Sequence, residues 1–71
     1  MRIEDAAKAL RDMYDDPQTG KAVSVHLFGV RYADVLEGMP LAEIVVRAGI
    51  SENYKTEIRK GMNLAKYVVE K

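Results

Sequence analysis

Apolar positions recur with a helical period along most of the chain. In residues 3–14, IEDAAKALRDMY, Ile3, Ala6 or Ala7, Leu10, Met13 and Tyr14 share one face with charges between them, which predicts an amphipathic helix. Glu4 and Asp5 suit its N-terminus, where the helix dipole favours carboxylates. The run Asp15-Asp16-Pro17-Gln18-Thr19-Gly20 stops it, because Pro17 disfavours a helical Asp16 and Gly20 permits a turn. Residues 21–25, KAVSV, are short and β-leaning. They read either as a strand or as the lead-in to the next helix, with Ser24 as its N-cap. Beyond them, HLFGVRYADVLEG places Phe28, Tyr32, Val35, Leu36 and Met39 on one helical face. Gly29 interrupts this pattern at a cost of about 1 kcal/mol relative to alanine, and permits a close helix crossing.

Two further patterns meet at Ala48-Gly49-Ile50-Ser51. Gly38 ends the preceding helix and Pro40 opens the next, the usual asymmetry of those residues. Over residues 40–48, Leu41, Ile44, Val45 and Ala48 form a buried stripe, while Glu43 and Arg47 complement the dipole at either end. Gly49 takes the left-handed turn position, Ile50 enters the core, and Ser51 caps a helix over residues 52–61. Tyr54, Ile58 and Met62 define the inner face of that helix. Glu52, Thr56, Arg59 and Asn63 lie opposite, with Lys55 and Lys60 on the flanks. After Gly61 the tail MNLAKYVVEK alternates and is rich in β-branched and aromatic residues. It predicts a strand over 64–69 pairing antiparallel with 21–25; a continuing helix is the competing reading. The expected fold is therefore one mainly α domain over residues 1–71, a helix-turn-helix bundle of about four helices with a small two-stranded β-ribbon.

Composition narrows the possibilities. A chain of 71 residues buries only ~60% of its unfolded-state surface, so its core must be efficient or a partner must add to it. With no cysteine there is no disulfide staple and no thiolate metal site. No apolar run approaches the ~20 residues of a membrane span, and no signal layout opens the chain, so a soluble cytoplasmic protein is expected. The net charge is zero, but its distribution is uneven. Residues 1–16 carry three basic and five acidic residues, and residues 40–71 carry six and four, so the half with the helix-turn-helix is mildly basic.

The spacing of Leu41, Glu43, Ile44, Ala48, Gly49, Ile50 and Ser51 resembles the helix-turn-helix superfamily, whose bacterial regulators often open this motif with L-x-E-I-x-x-x-A-G-I-S. In that architecture the first helix braces the second, whose outer face and N-terminal residues meet the major groove. The resemblance implies a small bacterial or phage-type DNA-binding protein, winged if the strands form, acting in transcription regulation as a regulator or accessory factor. It places Ser51, Asn53, Lys55, Thr56, Arg59 and Lys60 on double-stranded DNA, with Lys66 adding a phosphate contact from a wing-like strand. Few contacts are available to so small a domain, so a homodimer or a larger protein partner is expected.

Two positions depart from the family pattern. Val45 stands four residues before the turn glycine, where a small residue is usual. Lys55 stands six residues after it, where an apolar one is usual, and Tyr54 holds the inner face instead. Glu52 and Glu57 oppose phosphate on this face. With the neutral net charge, they favour a second reading, a protein-interaction module of the same architecture without DNA binding.

The remaining features carry less. His26, the only histidine, reads as a partly exposed residue near a helix start rather than a metal ligand or catalytic base. Asp12, Asp15 and Asp16 read as an exposed acidic helix end, lacking the alternating ligands of a calcium loop. Tyr14, Tyr32, Tyr54 and Tyr67 fall at core spacing as packing residues with hydroxyls near the surface. No nucleophile–base pair or phosphate-cradling glycine loop appears, so no enzyme, cofactor, metal or small-molecule substrate is expected.

Overall fold

A computed structural model of the chain describes residues 1–68. Five helices follow one another: α1 (Ile3–Tyr14), α2 (Lys21–Arg31), α3 (Ala33–Leu36), α4 (Leu41–Ala48) and α5 (Tyr54–Leu64). Ala6, Leu10, Val25, Phe28, Leu36, Ile44, Val45 and Ile58 are almost wholly removed from solvent and form one core cluster. The helices pack as two main pairs, α2 on α5 and α1 on α4, and α1 also touches α2. None of the described helices is long and apolar enough to cross a membrane.

The β-ribbon is not formed, and no strand occurs among the described residues. Residues 21–25 are the first turns of α2, with Gly20 as the N-cap. The buried positions Ser24, Val25, Phe28 and Gly29 fall on one helical face, while Val23 points to solvent, so a period-2 reading fails. Ser24 caps nothing: it is buried inside α2, and its hydroxyl donates to the Gly20 carbonyl at 2.9 Å. At the other end α5 runs through Gly61 to Leu64, and residues 65–67 close it in a turn, with Tyr67 N–H donating to Leu64 O at 2.9 Å. Residue 69, the last of the expected strand, lies outside the described residues.

The single helix expected over residues 26–38 divides at Tyr32, whose backbone leaves helical geometry (φ −109°, ψ 18°). The break rotates Val35 off the apolar face into solvent while keeping Leu36 buried. Tyr32 stays against Phe28, ring centroids 5.3 Å apart.

Gly29 and Gly61 explain why α2 and α5 pack so closely. A Cβ on Gly29 would lie 2.4 Å from the Ile58 carbonyl oxygen, and one on Gly61 only 2.2 Å from that of His26. Both helices therefore touch backbone to backbone, which only glycine at both positions permits. Gly61 serves this crossing rather than ending the helix. The two helices run side by side in the same sense. Lys21 and Tyr54 both sit on Tyr14, His26 meets Glu57, and Gly29 meets Gly61.

Candidate nucleic-acid interface

The turn between α4 and α5 is built as its sequence requires. Gly49 has φ +76°, a conformation that side chains with a Cβ disfavour. Its N–H donates to Val46 O at 3.0 Å and that of Ile50 to Val45 O at 3.1 Å, which satisfies the last carbonyls of α4. A third donor arrives from α1: the Arg11 guanidinium gives Nη1 to Ala48 O at 3.2 Å and Nε to Asp15 at 3.0 Å. The turn is thus tied to α1 through a side chain 37 residues away, a link that no local pattern signals.

Ser51 opens α5 much as expected. Its Oγ accepts the Asn53 N–H at 3.2 Å, the geometry of a cap, although regular α-helix begins only at Tyr54. The intervening turn is tightened by Tyr54 N–H to Ser51 O and Lys55 N–H to Glu52 O, both 3.0 Å. Ile58, Gly61 and Met62 face inward. Tyr54 packs partly buried against the core, and Lys55 is exposed. The apolar position is therefore displaced by one residue from the family pattern. Val45, bulkier than that pattern, is wholly buried. Tyr54 meets Tyr14 edge to face, centroids 5.6 Å apart. A hydrogen bond to the Tyr14 hydroxyl, with the charge Tyr14 would carry, raises the Tyr54 pKa above the usual tyrosine value.

The residues assigned to DNA divide into two sets. Ser51, Asn53, Lys55, Thr56, Arg59 and Lys60 are all exposed along α5 and its leading turn. Lys55, Thr56 and Arg59 line a cleft of about 360 Å³ with Leu41, at the start of α4. Lys66 is exposed but belongs to no wing. It lies in the closing turn, ~10 Å along the axis beyond Arg59 by the 1.5 Å rise per residue.

Glu57, expected to oppose phosphate here, is turned aside. Its Oε2 pairs with His26 Nε2 on α2, and its Oε1 lies 3.6 Å from Lys60 Nζ. His26 therefore sits mid-helix, bridging α2 to α5, rather than at a helix start. Glu52 remains exposed, with no cationic partner among the described residues.

Most other cations are engaged. Arg2 lies 3.9 Å from Asp5, Lys8 2.9 Å from Asp12, and Arg47 2.9 Å from Glu43. Arg11 holds Asp15, and Lys21 lies 4.1 Å from the centre of the Tyr14 ring. Arg31 reaches the Met13 sulfur. Among the described lysines and arginines, only Lys55, Arg59 and Lys66 have no such partner. The acids at the end of α1 are similarly occupied, Asp16 accepting the Gln18 N–H at 2.9 Å. No cluster of His, Cys, Asp or Glu among the described residues is arranged to hold a metal ion. Tyr67, expected as a packing residue, is instead 83% exposed.

A short helix, a glycine turn and a second helix displaying its polar face, all braced by α1 and α2, define a helix-turn-helix protein. The chain belongs to the HTH-like domain family, whose model matches residues 2–71. No curated protein and no solved structure matches it.

Proposed function

We propose that the chain is a small double-stranded-DNA-binding protein, a transcriptional regulator or accessory factor, which lays the outer face of α5 in the major groove. One observation carries this reading: Lys55 and Arg59, one helical turn apart, present unpaired positive charge at a cleft on the turn-proximal part of α5. Uncompensated cations on an exposed helix gain most from phosphate, since no internal ion pair must be broken first. Ser51, Asn53 and Thr56 supply neutral hydrogen-bonding groups for bases or sugar-phosphate beside them. Lys60, shared with Glu57, contributes less.

The test is titration with random-sequence duplex at ~50 mM salt, where phosphate attraction is strong, followed by the salt dependence. Lys55→Ala and Arg59→Ala each lower the slope of log affinity against log salt by ~0.9, the share of one phosphate contact. Absence of binding at low salt, or slopes unchanged by both substitutions, refutes the reading. The exposed Glu52 and the neutral net charge favour a second reading, a protein-interaction module of the same architecture without DNA binding; absence of duplex binding at low salt counts towards it.

A further inference from the structure

Lys55, Arg59 and Lys66, the three cations without a partner among the described residues, all lie along α5 and the turn that closes it. Backbone hydrogen bonds fix which side of the axis the last of them occupies. Ala65 N–H donates to Gly61 O at 3.0 Å and Lys66 N–H to Asn63 O at 3.3 Å, so the chain keeps winding past Leu64 and tightens to about three residues per turn. Ala65 itself holds right-handed helical geometry (φ −57°, ψ −19°). Four residues advance an α-helix by about 400°, which sets Asn63 ~40° from Arg59, and the tighter turn brings Lys66 back to the angle of Asn63. Lys55 lies ~40° to the other side of Arg59. The three cations therefore share one sector of about 80°, spread over ~16 Å of axis at 1.5 Å per residue.

The sector is free of acid along most of its length. Residues 58–68 hold Arg59, Lys60 and Lys66 and no carboxylate. Asn63, between Arg59 and Lys66, is exposed and uncharged, and Glu57 is turned to His26 on α2. The exposed Glu52 precedes Lys55, at the opposite end from Lys66. We propose that Lys66 is a third phosphate contact of the DNA face, so that the site runs the length of α5 instead of ending at the turn-proximal cleft. This rests on the DNA reading above and extends it. A stripe of ~16 Å exceeds the ~12 Å width of the major groove, so a helix laid across the groove brings cations at both ends within reach of the flanking phosphates. A lysine at a helix C-terminus also offsets the dipole there, a role it would fill in a protein that binds nothing. Salt dependence separates the two roles, since only a phosphate contact displaces counterions from DNA.

The experiment measures the affinity of the full chain for random-sequence duplex by fluorescence anisotropy between ~50 and ~200 mM salt, with circular dichroism confirming that each variant is folded. Lys66→Ala is expected to lower the slope of log affinity against log salt by ~0.9, and the triple variant with Lys55→Ala and Arg59→Ala by ~2.7, the share of three contacts. Lys66→Arg keeps the parent slope because it keeps the charge. Lys8→Ala, on α1 and paired with Asp12, also keeps it. A parent-like slope in Lys66→Ala, while Lys55→Ala and Arg59→Ala each lower theirs, overturns this inference and leaves the DNA reading standing. A slope that falls equally in Lys66→Arg, or equally in Lys8→Ala, overturns it as well, since the cause is then not a charge held at this position. Absence of duplex binding at ~50 mM salt overturns both the inference and the reading beneath it.

Discussion

Substituting Gly29 by alanine tests the packing on which the orientation of α5 depends. In an exposed helix this change stabilises by about 1 kcal/mol through propensity alone. Here the new Cβ would stand 2.4 Å from Ile58 O, 3.0 Å from Gly61 Cα and 3.0 Å from Met62 N, where ordinary contact begins at 3.4 Å. All three are backbone atoms of α5, so no side chain can rotate away. The helices must part by about 1 Å, which loosens Phe28, Val25 and Ile58 in a core packed to crystal-like density. Overpacking of this kind costs typically 1–3 kcal/mol, and more where backbone meets backbone, so the net expected loss is about 2 kcal/mol after the propensity gain. For a domain this size that lowers Tm by roughly 8–16 °C. Gly20→Ala is the control, since its Cβ would meet nothing within 4 Å. The assay is thermal unfolding followed by circular dichroism. Once the helices have parted, a second alanine at Gly61 finds part of its space already made, so the double variant loses less than the sum of the two single changes. A Gly29→Ala protein as stable as the parent, or more stable, refutes the close-crossing argument.

Other contacts give sharper local tests. Arg11→Ala removes the side-chain donor to Ala48 O at 3.2 Å; because the guanidinium is about half exposed, the expected loss is about 1 kcal/mol in chemical denaturation, and no loss would show that the tie between α1 and the turn is idle. The raised Tyr54 pKa means that the folded state favours the protonated phenol, so its stabilising contribution is complete below the unfolded value of about 10 and fades as pH rises through the folded one. Stability of the parent should therefore fall more steeply than that of Tyr54→Phe as pH rises above ~10; parallel pH profiles would contradict the Tyr14–Tyr54 hydrogen bond. Glu52→Gln removes an unpaired carboxylate beside the proposed contact face and should tighten duplex binding about two- to fivefold at low salt, an effect measured by fluorescence anisotropy that shrinks as salt rises.

The helix-turn-helix was legible because its signals are local. Gly49 needed a left-handed backbone, Leu41, Ile44, Val45 and Ile58 kept a helical period, and Ser51 could reach its own neighbours. What misled lies outside local pattern. KAVSV has β-branched residues at alternate positions, yet it is helical because Val25 and Phe28 bury together against α5, and tertiary burial outweighs a weak β preference. Gly61 suggests a helix end on propensity grounds, whereas its cost is offset by backbone contact with α2, which appears only once the two helices are side by side. With α5 extended to Leu64, residues 64–68 cannot form the predicted strand, and Tyr67 loses the sheet face that would have covered it. For the candidate site, exposure followed from the helical wheel. That His26 takes Glu57 and that Arg11 reaches the Ala48 carbonyl did not, because those partners sit on distant elements.

The unusual register of α5 follows from that same crossing. Had α4 alone braced α5, an apolar residue at position 55 would be the natural plug. Instead α2 holds α5 along its length at Gly61, and Tyr14 receives Tyr54 at its start, so the helix is turned until Tyr54 faces inward and Lys55 outward. The rotation has two electrostatic consequences. It moves Glu57 towards α2, where His26 takes it, and it leaves Lys55 and Arg59 together at the cleft beside Leu41. A departure from the family pattern that first reads as a fault in a recognition helix is thus tied to the removal of one carboxylate from the face and the exposure of two unpaired cations on it. Loosening the Gly29–Gly61 crossing should therefore disturb the charge of the proposed interface as well as the stability of the fold.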